Sequence, residues 1–159
     1  MGAVVVTPPQ PIVSRDEAKQ HLRIEHNGDD AYIDSLVAVA TGWLDGPDGW
    51  LGRALGEQVL EATFPTDLPA HDRTYPFPPF RAVVGETPQP DGRGIVVRWR
   101  AGYPVTDDKS AVPAPIRHAI LLMVGHFYAN RDAVTVTTAK PEQLPLGVEA
   151  LLAPFRVWA

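Results

Sequence analysis

Cysteine is absent from this chain of 159 residues. No disulfide framework, thiolate metal site or cysteine nucleophile is therefore available to it, which fits a reducing compartment. Long apolar runs are missing too. The longest, residues 119–124, is far short of a bilayer span. Residues 1–6 are apolar but too short for a signal peptide, and they lack a basic front. Val6 stands where N-myristoylation requires Ser or Thr. The chain is expected to be soluble, with no membrane partner. Positive charge is scarce: 14 Lys and Arg face 19 Asp and Glu. A nonspecific nucleic-acid binder needs clustered basic residues to displace counterions, so this balance argues against one. It remains compatible with a wall past which DNA slides without sticking.

Proline, by contrast, is abundant. The 17 prolines fall in clusters and leave two long proline-free stretches, where helices can form. Pro8, Pro9 and Pro11 make residues 1–13 read as an extended N-terminal arm. Ser14-Arg15-Asp16-Glu17 is a capping box, with the Ser14 hydroxyl accepting from the Glu17 amide and the Glu17 carboxylate reaching back. It predicts a short helix over 15–22, stopped by Asn27-Gly28. Asp29 and Asp30 are expected to cap a second helix, in which Ile33, Leu36, Val37, Ala40 and Leu44 recur at helical spacing.

Residues 57–64 and 95–100 alternate as strands. The seven prolines of 65–90 predict a loop, with a short strand at most over 81–85. Pro113 and Pro115 suit the start of a helix running from 116 to about 130. Its apolar stripe (Ile116, Ala119, Ile120, Met123, Val124, Phe127, Tyr128) is widened by Leu121 and Leu122, which places it at the centre of a fold or assembly. Residues 133–145 read as a loop or edge strand, and 147–152 as a last short helix. The fold class expected is mainly α with a small β element (α+β). It is a compact helical bundle of three principal helices plus a short C-terminal helix, with extended N- and C-terminal arms.

Little of the sequence suggests catalysis. There is no phosphate-binding loop, no Gly-x-Ser-x-Gly elbow and no His-Glu-x-x-His pair. His118 and His126 share a helix eight residues apart. That is roughly 12 Å along the axis, too far for one metal. Asp107-Asp108 reads as a solvated turn, and Asp45 and Asp48 as part of a helix stop. Arg98-Trp99-Arg100 reads as a solvated strand face in preference to a single-strand binding platform. No catalytic, cofactor-binding or metal residue is assigned, and no cofactor is expected.

Three segments carry a family likeness. One runs Ser14-Arg15-Asp16-Glu17-Ala18-Lys19-Gln20-His21-Leu22-Arg23-Ile24, followed by Asp29-Asp30 and the helix beginning at Tyr32. Another runs Val112-Pro113-Ala114-Pro115-Ile116-Arg117-His118 and on to His126-Phe127-Tyr128-Ala129-Asn130-Arg131. The last is Leu144-Pro145-Leu146-Gly147-Val148-Glu149-Ala150-Leu151-Leu152-Ala153-Pro154-Phe155-Arg156. Together they resemble the phage head–tail connector (adaptor) family, the ring beneath the portal, with a phage and a gene transfer agent both open as the particle. The resemblance leaves out the N-terminal arm and the proline-rich middle.

It implies a non-enzymatic virion protein of the particle neck, assembled in the bacterial cytoplasm. Such subunits form a homo-oligomeric ring of about twelve copies. The ring sits between the portal protein and a stopper or tail-terminator protein, and DNA passes through its channel without sequence-specific binding. The expected division is an arm at 1–13, a connector domain at 14–153 with its β- and loop-rich region at 57–104, and a docking tail at 154–159. Pro154, Phe155, Arg156, Val157 and Trp158 are the residues expected to dock on the portal, since aromatic and Arg anchors dominate interfaces. Pro8, Pro9, Pro11, Tyr32, Leu36 and Tyr128 are expected between subunits. The alternatives are another neck or tail-completion protein, or a small cytosolic enzyme.

Overall fold

The computed structural model describes residues 2–131 and 146–158. The expectation of a loop or edge strand at 133–145, and Leu144-Pro145 of the third family segment, lie outside the described residues.

The chain opens with strand β1 (Val4–Thr7), then helices α1 (Arg15–Leu22) and α2 (Asp30–Gly42). Strands β2 (Gln58–Pro65), β3 (Phe80–Pro88) and β4 (Gly94–Ala101) follow. A small hairpin of β5 (Val105–Thr106) and β6 (Lys109–Ser110) leads into α3 (Ala114–Ala129) and α4 (Leu146–Leu152). β1, β2, β4 and β3 form, in that order, one antiparallel sheet of four strands.

This corrects the expected fold class: the described residues form an α+β fold with a substantial sheet and four helices, not a mainly helical bundle. Two features of the sequence hid the sheet. Val4-Val5-Val6 lies beside the prolines of the presumed arm, yet these β-branched residues pair with β2 as an edge strand. In the proline-rich middle, Pro76, Pro78 and Pro79 precede β3, and Pro88 ends it. β3 is an edge strand, where missing amide donors are tolerated. The N-terminal segment also contributes to the interior, since Ala3, Ile12 and Val13 are buried.

Local signals explain the helices. Ser14 and Glu17 form the reciprocal capping box, with bonds of 3.2 and 2.9 Å, and Arg23 in the left-handed region closes α1. Asp29 occupies the N-cap of α2 but makes no side-chain cap bond, because its carboxylate is engaged elsewhere. Ile33, Leu36, Ala40 and Leu44 meet Ile116, Ala119, Ile120, Met123 and Val124 of α3 in a buried helical core, to which Val148 and Leu152 of α4 add.

A second core lies on one face of the sheet, where Leu60, Ala62, Phe64, Val97, Trp99 and Ala101 are buried. The proline-rich 66–79 segment covers it. Tyr75 lies 5.5 Å from Trp99 and stacks on Phe80 at 4.7 Å. Between the cores the backbone crosses closely: Gly102 has φ +101°, and a Cβ there would meet the Gly56 carbonyl oxygen at 2.1 Å. Asp45 fastens the same crossing. Its buried carboxylate accepts from the Leu55 amide (2.6 Å), the Gly56 amide (3.3 Å) and Gln58 Nε2 (2.9 Å). Burial pushes the Asp45 carboxyl above its ordinary range, and these bonds oppose the shift.

Candidate assembly surfaces

The C-terminal tail is built from α4 outwards. α4 runs into a short 3-10 turn, Ala153–Phe155, and Phe155 packs against the helical core. The tail then lies along residues 51–53. The Val157 amide donates to the Leu51 carbonyl at 2.9 Å, and Arg53 Nε donates to the Phe155 carbonyl at 2.5 Å. Gly52 permits this approach, because a Cβ there would meet the Val157 carbonyl oxygen at 2.6 Å. The Arg156 guanidinium is sandwiched between the rings of Trp50 (4.1 Å) and Trp158 (3.9 Å). Trp158 is 76% exposed. Val39 near the end of α2 and Trp43 at its C-cap add exposed apolar surface, and the Trp50 amide donates to the Trp43 carbonyl. Of the five expected docking residues, Pro154 and Trp158 are exposed, while Phe155, Arg156 and Val157 are half-buried against their own chain.

The residues expected between subunits separate into three places. Tyr32 and Tyr128 come together, 6.1 Å apart, and the Arg131 guanidinium lies over both rings at 4.6 and 4.7 Å. Asp29 completes this clamp, accepting from the Tyr128 hydroxyl (2.5 Å) and from Arg131 Nη2 (2.7 Å). The Tyr128 bond, then Arg131, holds the Asp29 carboxyl below its ordinary range. Asp29 in turn raises both Tyr128 and Arg131. Leu36 lies elsewhere, buried in the helical core. Pro8, Pro9 and Pro11 are exposed along one wall of an open groove of about 770 Å³, whose other wall is Val37, Ala38 and Thr41 of α2.

Sequence reasoning missed the two free edges of the sheet. Val4, Val5 and Val6 of β1 are exposed, as are Phe80, Val83 and Val84 of β3. The valine run was a usable signal, but the flanking prolines outweighed it.

The weaker candidates have clear positions. Asp107 and Asp108 both have positive φ (50° and 59°) in the two-residue turn joining β5 to β6. Arg98 pairs with Glu61 at 2.5 Å and Arg100 with Glu57 at 3.5 Å, while Trp99 between them is fully buried on the other face. The three therefore form no stacking platform. His118 meets His21 edge-on at 6.2 Å. Among the described residues, no three His, Asp or Glu side chains gather as a metal-binding group. No described helix is long and apolar enough to cross a membrane.

The fold and these surfaces define an α+β domain whose exposed large apolar residues lie on both sheet edges, at the end of α2, on the small hairpin and at the chain end. Two solved structures share this fold over the whole chain. One is a chain in the virion of a native gene transfer agent (GTA) particle, with a TM-score of 0.70 and 17% identity, covering 100% of this chain and 97% of that one. The other is a chain in the neck of an empty GTA particle computed with C6 symmetry, with a TM-score of 0.69 and 18% identity at the same coverage. At such identity the likeness is one of fold. No family model and no curated protein matches the chain.

Proposed function

We propose that this chain is a structural, non-enzymatic subunit in the neck of a phage-like particle. Within the neck it acts as the head–tail connector, forming a ring between the portal and the stopper or tail. The observation that carries this reading is the end-to-end fold match to chains of a GTA virion and neck, with 97% of each of those chains covered. The connector-like segments at 14–24, 112–131 and 144–156 favour the adaptor over other neck proteins.

In this role the tail from Pro154 to Trp158 docks on the portal, with Trp158 the exposed anchor. Pro8, Pro9, Pro11, Tyr32 and Tyr128 face neighbouring subunits. DNA passes through the ring without base contacts, which suits an acidic chain.

Mass measurement in solution, with and without purified portal, tests the reading. A ring-sized complex formed only with portal is the expected result. Binding to tail components but not to portal would instead make the chain a tail-completion protein.

A further inference from the structure

The sheet has an unusual symmetry of exposure. Register places Val5, Leu60, Trp99 and Val83 in one row across all four strands. Leu60 and Trp99 in the middle are fully buried, whereas Val5 and Val83 at the two ends are 44% and 39% exposed. The row is therefore a core layer that runs out at both edges of the sheet. β1 is guarded by a single bulge, and β3 by bulges and by Arg81, Glu86 and Pro88, yet both leave apolar side chains open. β1 carries no charged residue, and β3 leaves Phe80, Val83 and Val84 open along a strand exposed through nearly its whole length.

Strand polarity decides what fits there. Each of the three pairings is antiparallel, so β1 runs antiparallel to β3. A copy shifted sideways by one sheet width thus brings its β1 antiparallel to the β3 of its neighbour, and the Val5–Val83 row continues across the junction. Two different edges meet in this contact, which makes it heterologous. A heterologous contact that closes gives a ring. The similar neck chain comes from a structure computed with C6 symmetry, and cyclic order above two requires contacts of that kind.

We infer that the exposed edges of β1 and β3 are the two halves of one subunit–subunit contact, in which β1 of one copy pairs antiparallel with β3 of the next. The inference rests on the ring proposed above. Its strength follows from its size. Bulges interrupt β1 between Val5 and Thr7 and β3 on both sides of the 82–83 pair, so only a short stretch aligns. Such a stretch buries far less than the roughly 1,200–2,000 Å² of a stable interface. The contact is therefore weak in isolation and forms when copies are concentrated, as they are on a portal.

Because the chain has no cysteine, cross-linking tests this directly. The double variant Val5→Cys/Val83→Cys and both single variants are oxidised at high protein concentration, with circular dichroism to check folding. A second double variant, Val5→Cys/Arg81→Cys, covers a register shifted by two residues. A ladder of covalent trimers and larger species from a double variant, with only monomer from the singles, is the expected result. Dimers from a single variant would mean like edges meet, and that overturns the inference. So does the absence of a ladder from both folded double variants. Portal binding by the unmodified chain is read separately. A chain that binds portal but gives no ladder is a neck protein whose ring closes through other surfaces. A ladder without portal binding leaves the edge contact standing and removes the connector role.

Discussion

Tyr128 donates its hydroxyl to the Asp29 carboxylate at 2.5 Å, joining the last turn of α3 to the cap of α2. Two helices distant in sequence are thereby held at one corner, and Arg131 closes over both tyrosine rings. Asp29 serves this tertiary contact instead of capping its own helix.

An acid-sensitivity prediction follows from the clamp. The Asp29 carboxyl is held below its ordinary value, chiefly by Tyr128 and then by Arg131. A depressed folded-state pKa means that the stabilisation is present above the unfolded value and lost as pH falls through the folded one. Asp29→Asn should therefore melt below the wild type at neutral pH, and the two melting temperatures should converge as the pH falls below the ordinary carboxylate range. Tyr128→Phe should fall between them. Thermal melts followed by circular dichroism from pH 7 downward check this. A constant gap between Asp29→Asn and wild type across that range would show that the clamp's charge contributes nothing.

A larger effect is expected at Asp45. Its carboxylate satisfies the buried Leu55 amide, the Gly56 amide and Gln58 Nε2, where the helical core meets the sheet. Asp45→Ala leaves those donors without a partner and opens a cavity. Each buried orphan costs about 1–3 kcal/mol, so a loss of roughly 2–4 kcal/mol is expected after some relaxation. Urea unfolding measures it. A loss near zero would mean that water replaces the carboxylate.

How much of this was legible in the sequence depends on which interaction decides each element. The Ser14–Glu17 box is local, and the structure contains both of its bonds. The alternation of Leu60, Ala62 and Phe64 marks the buried face of β2 directly. β3 was not legible in full, because its existence depends on β4 beside it and its prolines lie outside the paired stretch or at its end. Asp29 looked like a cap because the donors that claim its carboxylate, Tyr128 and Arg131, lie about a hundred residues away. The tail shows the same limit: aromatic and arginine content suggested an anchor, but nothing local revealed that Trp50 holds Arg156.

Trp99 gives a test of the sheet core. It is fully buried among Phe64 and Tyr75, yet its Nε1 has no hydrogen-bond partner among the described residues. Trp99→Ala should cost about 3–5 kcal/mol through lost burial and a cavity. Trp99→Phe also loses volume, but it removes the unpaired donor, whose burial costs about 1–3 kcal/mol. The Phe variant should therefore lie within about 1–2 kcal/mol of wild type. Equal losses for the two variants would show that the indole nitrogen carries no penalty.

The tail separates stability from docking. Arg156 stacks between Trp50 and Trp158 near the surface, and each such contact is worth about 0.5–1 kcal/mol at exposed sites. Arg156→Ala should therefore lower stability by about 1 kcal/mol. Truncation after Ala153 should lower it further, since it also removes the Val157–Leu51 bond, the partner of Arg53 and the packing of Phe155. Neither change isolates docking, because both disturb the domain itself. Trp158→Ala does. With three-quarters of its surface free, Trp158 has little to lose beyond its one contact with Arg156, and its removal should shift unfolding by about 1 kcal/mol or less. If it anchors the tail to the portal, the same change should weaken that complex by about 2 kcal/mol, or roughly thirtyfold in Kd. Calorimetry with purified portal, run beside urea unfolding, reads both quantities on one preparation. Unchanged portal affinity in a stably folded Trp158→Ala variant would leave the tail as a strap on its own domain and move the docking surface elsewhere.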